Sequence, residues 1–300
     1  APVQYIRPEI IGLILGAYLL SMIRGEHQSK GGSSPIIRFI LGFFVMIGAL
    51  IFLGCPLRMI LRLGGGDLNA LFGIAGFAGG IGFGTIFLKR GYSLQRTYAL
   101  SKLESAMMPA IQVGLLVLVV TAPAFIFFSQ KGPGAMHAPW LISLAAGLVV
   151  GGLSQVSRLC TVGGFRDLFL FKKSILIFGY LAVLIGVFVV NISFGNFHLG
   201  FENQPIAHTD GLWNFLGMAL AGFCSVLLGG CPLRQLIMTG EGNSDSAVTV
   251  LGLAAGAAFA HNFGLAASGA GPTLNGQIAV GVGFAVALII AILNTKRANA

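Results

Sequence analysis

The pentapeptide Gly-Cys-Pro-Leu-Arg occurs twice in this chain, at 54–58 and 230–234, and a third cysteine precedes a glycine pair in SRLCTVGGFRDLF (157–169). All three cysteines lie inside apolar runs, at points where a helix must be interrupted. Proline lacks the backbone donor and clashes with the preceding turn, and glycine loosens the helix. A half-helix that starts at such a break aims its free N–H groups and the positive end of its dipole at the gap. A thiol held there is a soft nucleophile and acceptor whose thiolate form is favoured. Cys55, Cys160 and Cys231 are therefore candidates for contacting a soft, polarisable solute such as a sulfur or selenium compound, with Gly54, Pro56, Gly230 and Pro232 making the breaks. Buried cysteine is also a common small apolar residue. That reading suits Cys224, inside the run leading to a break, better than three cysteines that each mark one.

Charged residues cluster near the same points. Arg58 and Arg234 follow their cysteines by three residues and Arg166 follows Cys160, so these three are expected to supply positive potential for an anion. Asp67, Asp167 and Glu241 come after the breaks as supporting residues. Ionisable groups at membrane depth are costly and mark a pathway or an internal pair. Arg62, at the end of its half-helix, is expected to snorkel to the interface. The five histidines are scattered, and there is no CxxC, no Cys/His cluster, no Ser/His/Asp set and no Walker sequence. These patterns give no support to an enzyme, a metal site or a bound cofactor.

The elements that would hold these residues are membrane helices. Of 300 residues, 56% are hydrophobic and 9% charged, against about 25% charged in a soluble domain. Apolar runs near the ~20 residues that span a bilayer recur along the chain. They predict nine spans, at 8–23, 36–63, 68–88, 108–128, 140–171, 174–193, 212–239, 246–267 and 277–293. The first reads as a retained helix rather than a cleaved leader. The net charge of +9 comes from short basic loops, not from a patch or arm, which excludes a nucleic-acid partner. With the N-terminus outside and the C-terminus cytoplasmic, Arg24 to Lys30, Lys89 to Lys102, Lys172 with Lys173, and Lys296 with Arg297 all lie inside; Lys131 alone is misplaced. Segments 36–63, 140–171 and 212–239 exceed what a hydrocarbon core of ~30 Å requires. Each is expected to be a pair of half-helices that either continues across or folds back.

The two pentapeptides lie 176 residues apart, and the shift also superposes Gly64 on Gly240, Gly66 on Gly242 and Gly76 on Gly252. The sequence thus predicts one transmembrane domain over 1–300, built on an inverted pair of units at 36–88 and 212–267, with an additional cysteine unit at 140–193. Broken helices of inverted repeats are where many transporters bind their substrates. GIAGFAGGIGFG (73–84) reads as a helix-packing face, and YSLQRTYALSKLES (92–105) as an amphipathic interfacial helix.

Taken in order, GCPLRMILRLGGGDLNAL, SRLCTVGGFRDLF and GGCPLRQL resemble the YeeE/YedE family of bacterial inner-membrane transporters, over roughly 36–290 and nearest to the YedE-type branch associated with selenium metabolism. The resemblance implies an all-α, hourglass-shaped membrane protein with internal inverted repeats and loops dipping to the centre. In thiosulfate-transporting relatives, cysteines along a central path are thought to relay the anion through S–H···S contacts; the matching positions here are Cys55, Cys160 and Cys231. Some relatives carry a further thiol in the first short segment, whereas IIGLILGAYLLSMI (10–23) has none.

The leading expectation is a conduit importing a small selenium- or sulfur-containing anion into the cytoplasm, with the bilayer and a cytoplasmic sulfur- or selenium-carrier protein as partners. Uptake of thiosulfate or another sulfur compound is the close alternative. A membrane thiol enzyme, with two break cysteines as a redox or persulfide pair, would require two of them to approach closely. A soft-metal transporter would use the thiolates as ligands.

Overall fold

The computed structural model describes residues 6–122, 129, 135, 137–173 and 175–295. Lys131, Lys296 and Arg297 lie outside the described residues, as does all of 123–128, the end of the expected span 108–128. Among the described residues the chain forms twelve α-helices and one two-stranded sheet. The helices are α1 (Pro8–Ile23), α2 (Pro35–Phe52), α3 (Pro56–Gly64), α4 (Asn69–Lys89), α5 (Lys102–Thr121), α6 (Trp140–Ser157), α7 (Thr161–Phe171), α8 (Ile175–Ser193), α9 (Gly211–Leu228), α10 (Pro232–Gly240), α11 (Ser244–Asn262) and α12 (Leu274–Leu293).

All three overlong segments are pairs of helices: α2 with α3, α6 with α7, and α9 with α10. The reason is local. Proline disfavours helical geometry in the residue before it and is well placed as the first residue of a helix. Cys55 accordingly adopts φ −73° and ψ 168°, and α3 starts at Pro56. In the second copy Gly229 ends α9 with φ 82°, and α10 starts at Pro232. The residue corresponding to Gly229 in the first copy is Leu53, held at φ 63°. A left-handed conformation at a residue with a Cβ costs roughly 1–2 kcal/mol, so the tertiary fold imposes this turn on the first copy. At the third break no proline is present; Arg158 ends α6 at φ 55° and Cys160 is the N-cap of α7.

Counted with each pair as one segment, seven segments are long and apolar enough to cross a membrane: Pro35–Gly64, Asn69–Lys89, Lys102–Thr121, Trp140–Phe171, Ile175–Ser193, Gly211–Gly240 and Leu274–Leu293. The other two expected spans are helical as α1 and α11, but α1 has only 16 residues and α11 is not among the seven. The chain is an all-α, multi-pass membrane protein.

Two compact units share the chain. The first comprises Ala1–Pro35, Arg96–Arg158 and Arg234–Val250. Its main contact is α1 against α6, where Gly12, Gly16, Gly147 and Gly151 bring the two backbones together. Here β1 (Lys30–Gly31) pairs antiparallel with β2 (Tyr98–Ala99). That pairing corrects the expectation of an interfacial helix over 92–105. Leu100 N–H donates to Ser29 O, and α5 begins only at Lys102, where Ser101 Oγ accepts from Glu104 N–H at 3.3 Å.

The second unit comprises Ile36–Gln95, Leu159–Leu233 and Leu251–Ala300. Its largest contact is α4 against α9. The glycine face of α4 makes it: a methyl on Gly76 would strike the Phe215 carbonyl, and one on Gly80 the Ala219 carbonyl. On α11, a methyl on Gly252 would strike the Phe39 carbonyl and one on Gly256 the Phe43 carbonyl, both on α2. A shift of 176 residues turns each of these contacts into its counterpart. The same shift carries Gly54 N–H→Ala49 O onto Gly230 N–H→Ser225 O, and Asp67 N–H→Arg62 O onto Asn243 N–H→Met238 O.

Candidate functional site

The three break cysteines all belong to the second unit. Cys55 is partly exposed, while Cys160 and Cys231 are buried, and all are free thiols. Cys55 precedes α3 with the amides of Leu57 and Arg58 near its sulfur, although no capping hydrogen bond closes. Cys160 does close one: its Sγ accepts from Gly163 N–H at 3.3 Å. The thiols of Cys160 and Cys231, 71 residues apart in sequence, are neighbours, and Cys55 is within electrostatic range of Cys231. Each of the three stands just before the first residue of a short helix. Cys224 is fully buried inside α9.

Contact between α7 and α8 builds one wall of this cluster. Gly163 and Gly164, at the start of α7, lie against Leu176 and Ile177 of α8, leaving no room for larger residues. Tyr180 follows three and four residues later on the same helical face. Its hydroxyl adjoins the Thr161 hydroxyl and the Cys231 thiol, with Cys160 close by. Tyr180 and Thr161 were not singled out by the sequence. The available signal was the lone phenol in ILIFGYLAVLIGVFVVNIS (175–193).

The acids are distributed differently from the simple expectation. Asp67 holds Arg62: Nε meets Oδ2 at 2.6 Å, and both side chains are buried. The Arg62 guanidinium also stacks 4.1 Å from the centre of the Phe52 ring. Arg62 therefore does not snorkel; an internal carboxylate and an aromatic face hold it inside. Arg166 bonds its own neighbour Asp167 at 2.8 Å, both partly exposed. In the first unit, Arg234 grips Glu241 with two bonds of 3.1 and 3.0 Å, and Arg158 reaches the same carboxylate at 3.0 Å and Glu26 at 2.8 Å. The bond from Gln155, then the one from Arg24, hold the Glu26 carboxyl below its ordinary value.

Two cavities are lined by the arginines of the repeated pentapeptide. One, in the second unit, has a volume of about 420 Å³ and includes Arg58, Arg62, Asp67, Asn191, His198 and Gln204. The other, in the first unit, has a volume of about 320 Å³ and includes Lys30, Arg158, Arg234, Met238, Glu241 and Asn243. The 176-residue shift relates four lining positions: Arg58 to Arg234, Arg62 to Met238, Gly65 to Glu241, and Asp67 to Asn243. The partly buried carboxylate that engages Arg234 thus has glycine at the equivalent place beside Arg58. In the 194–210 loop, His208 is buried and its Nε2 lies 2.8 Å from the Ile51 carbonyl, at the end of α2. Burial pushes that imidazole below its ordinary value.

Among the described residues, no group of three His, Cys, Asp or Glu is arranged to hold a metal ion. The cluster can offer a soft anion two neighbouring thiols, a third nearby, and two hydroxyl donors. No curated protein matches the chain. The family model described as sulphur transport matches residues 156–296, a stretch that contains Cys160, Tyr180 and Cys231. Over that stretch the chain is similar to the sulphur-transport family, in line with the resemblance carried by its cysteine motifs.

Proposed function

We propose that the protein imports a small selenium- or sulfur-containing anion through a path on which Cys55, Cys160 and Cys231 contact the solute in turn. The observation that carries this reading is that the Cys160 and Cys231 thiols are neighbours, each set before a different half-helix. Soft thiols pass a polarisable anion from one weak contact to the next without a bond that must be broken. Arg58, Arg166 and Arg234 raise the local potential, with Asp67, Asp167 and Glu241 setting how much of it is already compensated. Gly54, Pro56, Gly230 and Pro232 keep the gaps open. The reciprocal contacts of Gly76 and Gly252 support a pseudo-two-fold relation between 36–88 and 212–267. In the inner membrane, with the N-terminus outside, the basic loops face the cytoplasm. There a sulfur- or selenium-carrier protein would collect the solute.

The test is uptake of labelled thiosulfate, selenite and sulfate by cells that lack their own importers. The wild type is expected to take up one soft anion, and Cys55→Ala, Cys160→Ala and Cys231→Ala to lose at least about ten-fold of that uptake at equal membrane level, a change of roughly 1.4 kcal/mol in the rate-limiting barrier. Uptake that survives all three substitutions would sink the thiol path. The same pair of thiols also suits a membrane dithiol enzyme. Alkylation and mass spectrometry during turnover separate the two: transport leaves the thiols reduced, whereas a dithiol enzyme that passes two electrons and two protons to its sulfur or selenium substrate accumulates a Cys160–Cys231 disulfide.

A further inference from the structure

Two buried hydroxyls lie beside the Cys160 and Cys231 thiols. Thr161 is 2% exposed and Tyr180 6%, and their hydroxyls, though near each other, close no well-formed hydrogen bond with the protein. A buried hydroxyl left without a partner costs about 1–3 kcal/mol, and native structures seldom carry two side by side. Helix α7 starts at Thr161 because Cys160 caps it, and Gly163 and Gly164 admit α8 closely enough to bring Tyr180 to the same spot. The hydroxyls are therefore fixed by the same break that fixes the cysteine. Two hard donors and two soft thiols meet at one place.

We infer that Thr161 and Tyr180 are specificity-determining residues that donate hydrogen bonds to the oxygens of the transported anion while its sulfur or selenium atom rests on Cys160 and Cys231. This rests on the thiol path proposed above and narrows its substrate class. The preferred solute carries both a polarisable sulfur or selenium atom and anionic oxygens, and an oxygen-free soft anion gains nothing from the hydroxyls. Sulfate has the oxygens but no exposed soft atom, so it satisfies half of the cluster only. The bonds are charge-assisted because the acceptor oxygens carry negative charge.

The experiment is uptake by purified protein in liposomes, with labelled thiosulfate, selenite and thiocyanate as probes. Thiosulfate and selenite carry oxygens, and thiocyanate is soft and oxygen-free. Tyr180→Phe and Thr161→Val are each expected to raise KM for the oxygen-bearing anion by about ten-fold or more. Thr161→Ser, which keeps the hydroxyl, should stay near the wild type in KM, and thermal stability of the hydroxyl-less variants without substrate should match or exceed that of the wild type. Three results would overturn the inference while leaving the thiol path intact. One is an unchanged KM in both hydroxyl-less variants. Another is a loss of stability with KM unmoved, the mark of a structural role. The third is a wild type that carries thiocyanate in preference to both oxyanions. A wild type that carries none of the three defeats the thiol path and this inference with it.

Discussion

Cys55 leaves helical geometry because Pro56 follows it, and the thiol is thereby set before the first turn of a new helix. Such placements were legible in the sequence, since Gly, Cys and Pro dictate them locally. What Arg62 does was not. Five residues separate it from Asp67 in a glycine-rich stretch, and only the fold shows the 2.6 Å ion pair closing beneath Phe52. Asp67→Asn should leave a buried guanidinium uncompensated and cost roughly 3–5 kcal/mol, read as a lowered melting temperature in detergent. Replacing both Arg62 and Asp67 by leucine should cost less than that single change; a double variant that is the weaker of the two would contradict this account. The proximity of Cys160 to Cys231 and the position of Tyr180 were equally hidden, because they join residues distant in sequence through the packing of α7 on α8.

At the scale of elements, apolar length and the Gly/Pro breaks predicted the helices and their interruptions well. They failed at 92–105, where an alternation of apolar and polar residues was outweighed by backbone pairing between Tyr98–Ala99 and Lys30–Gly31. The start of α5 was nonetheless written in the sequence, as a serine followed three residues later by glutamate. The small-residue run at 73–84 proves to be a close-approach face, with Gly76 and Gly80 set against the backbone of α9. Gly76→Ala and Gly252→Ala should each destabilise the protein by about 1–3 kcal/mol, because backbone cannot give way as a side chain does. Gly281→Ala, where nothing lies near the added methyl, should melt with the wild type. Equal melting of all three would remove the packing argument.

For the whole molecule, low charge and long apolar runs were sufficient for the membrane assignment, and seven segments meet the length and hydropathy it requires. Within that frame, residues 156–296 match the sulphur-transport family model. The proposed orientation rests on charge alone, which assigns Arg90, Arg96 and Lys102 to the inside and the loop from 194 to 211, which has no lysine or arginine, to the outside. Single cysteines introduced at Asn196 and at Arg96, in a background with the native thiols replaced, give opposite results with an impermeant maleimide on intact cells. Asn196→Cys should label from outside and Arg96→Cys only after lysis; the reverse pattern would invert the proposed direction.

The exchanged glycine contacts also dictate an order of events at the ribosome. Helix α4 finds its carbonyl partners on α9 and α11 finds its own on α2, so α2 and α4 enter the bilayer before the helices that clasp them. At ~5–20 residues per second, the stretch from Gly76 to Phe215 takes on the order of ten seconds to synthesise. During that interval α2 and α4 must persist as inserted but unclasped helices, and the arrival of α9 and α11 locks both halves together.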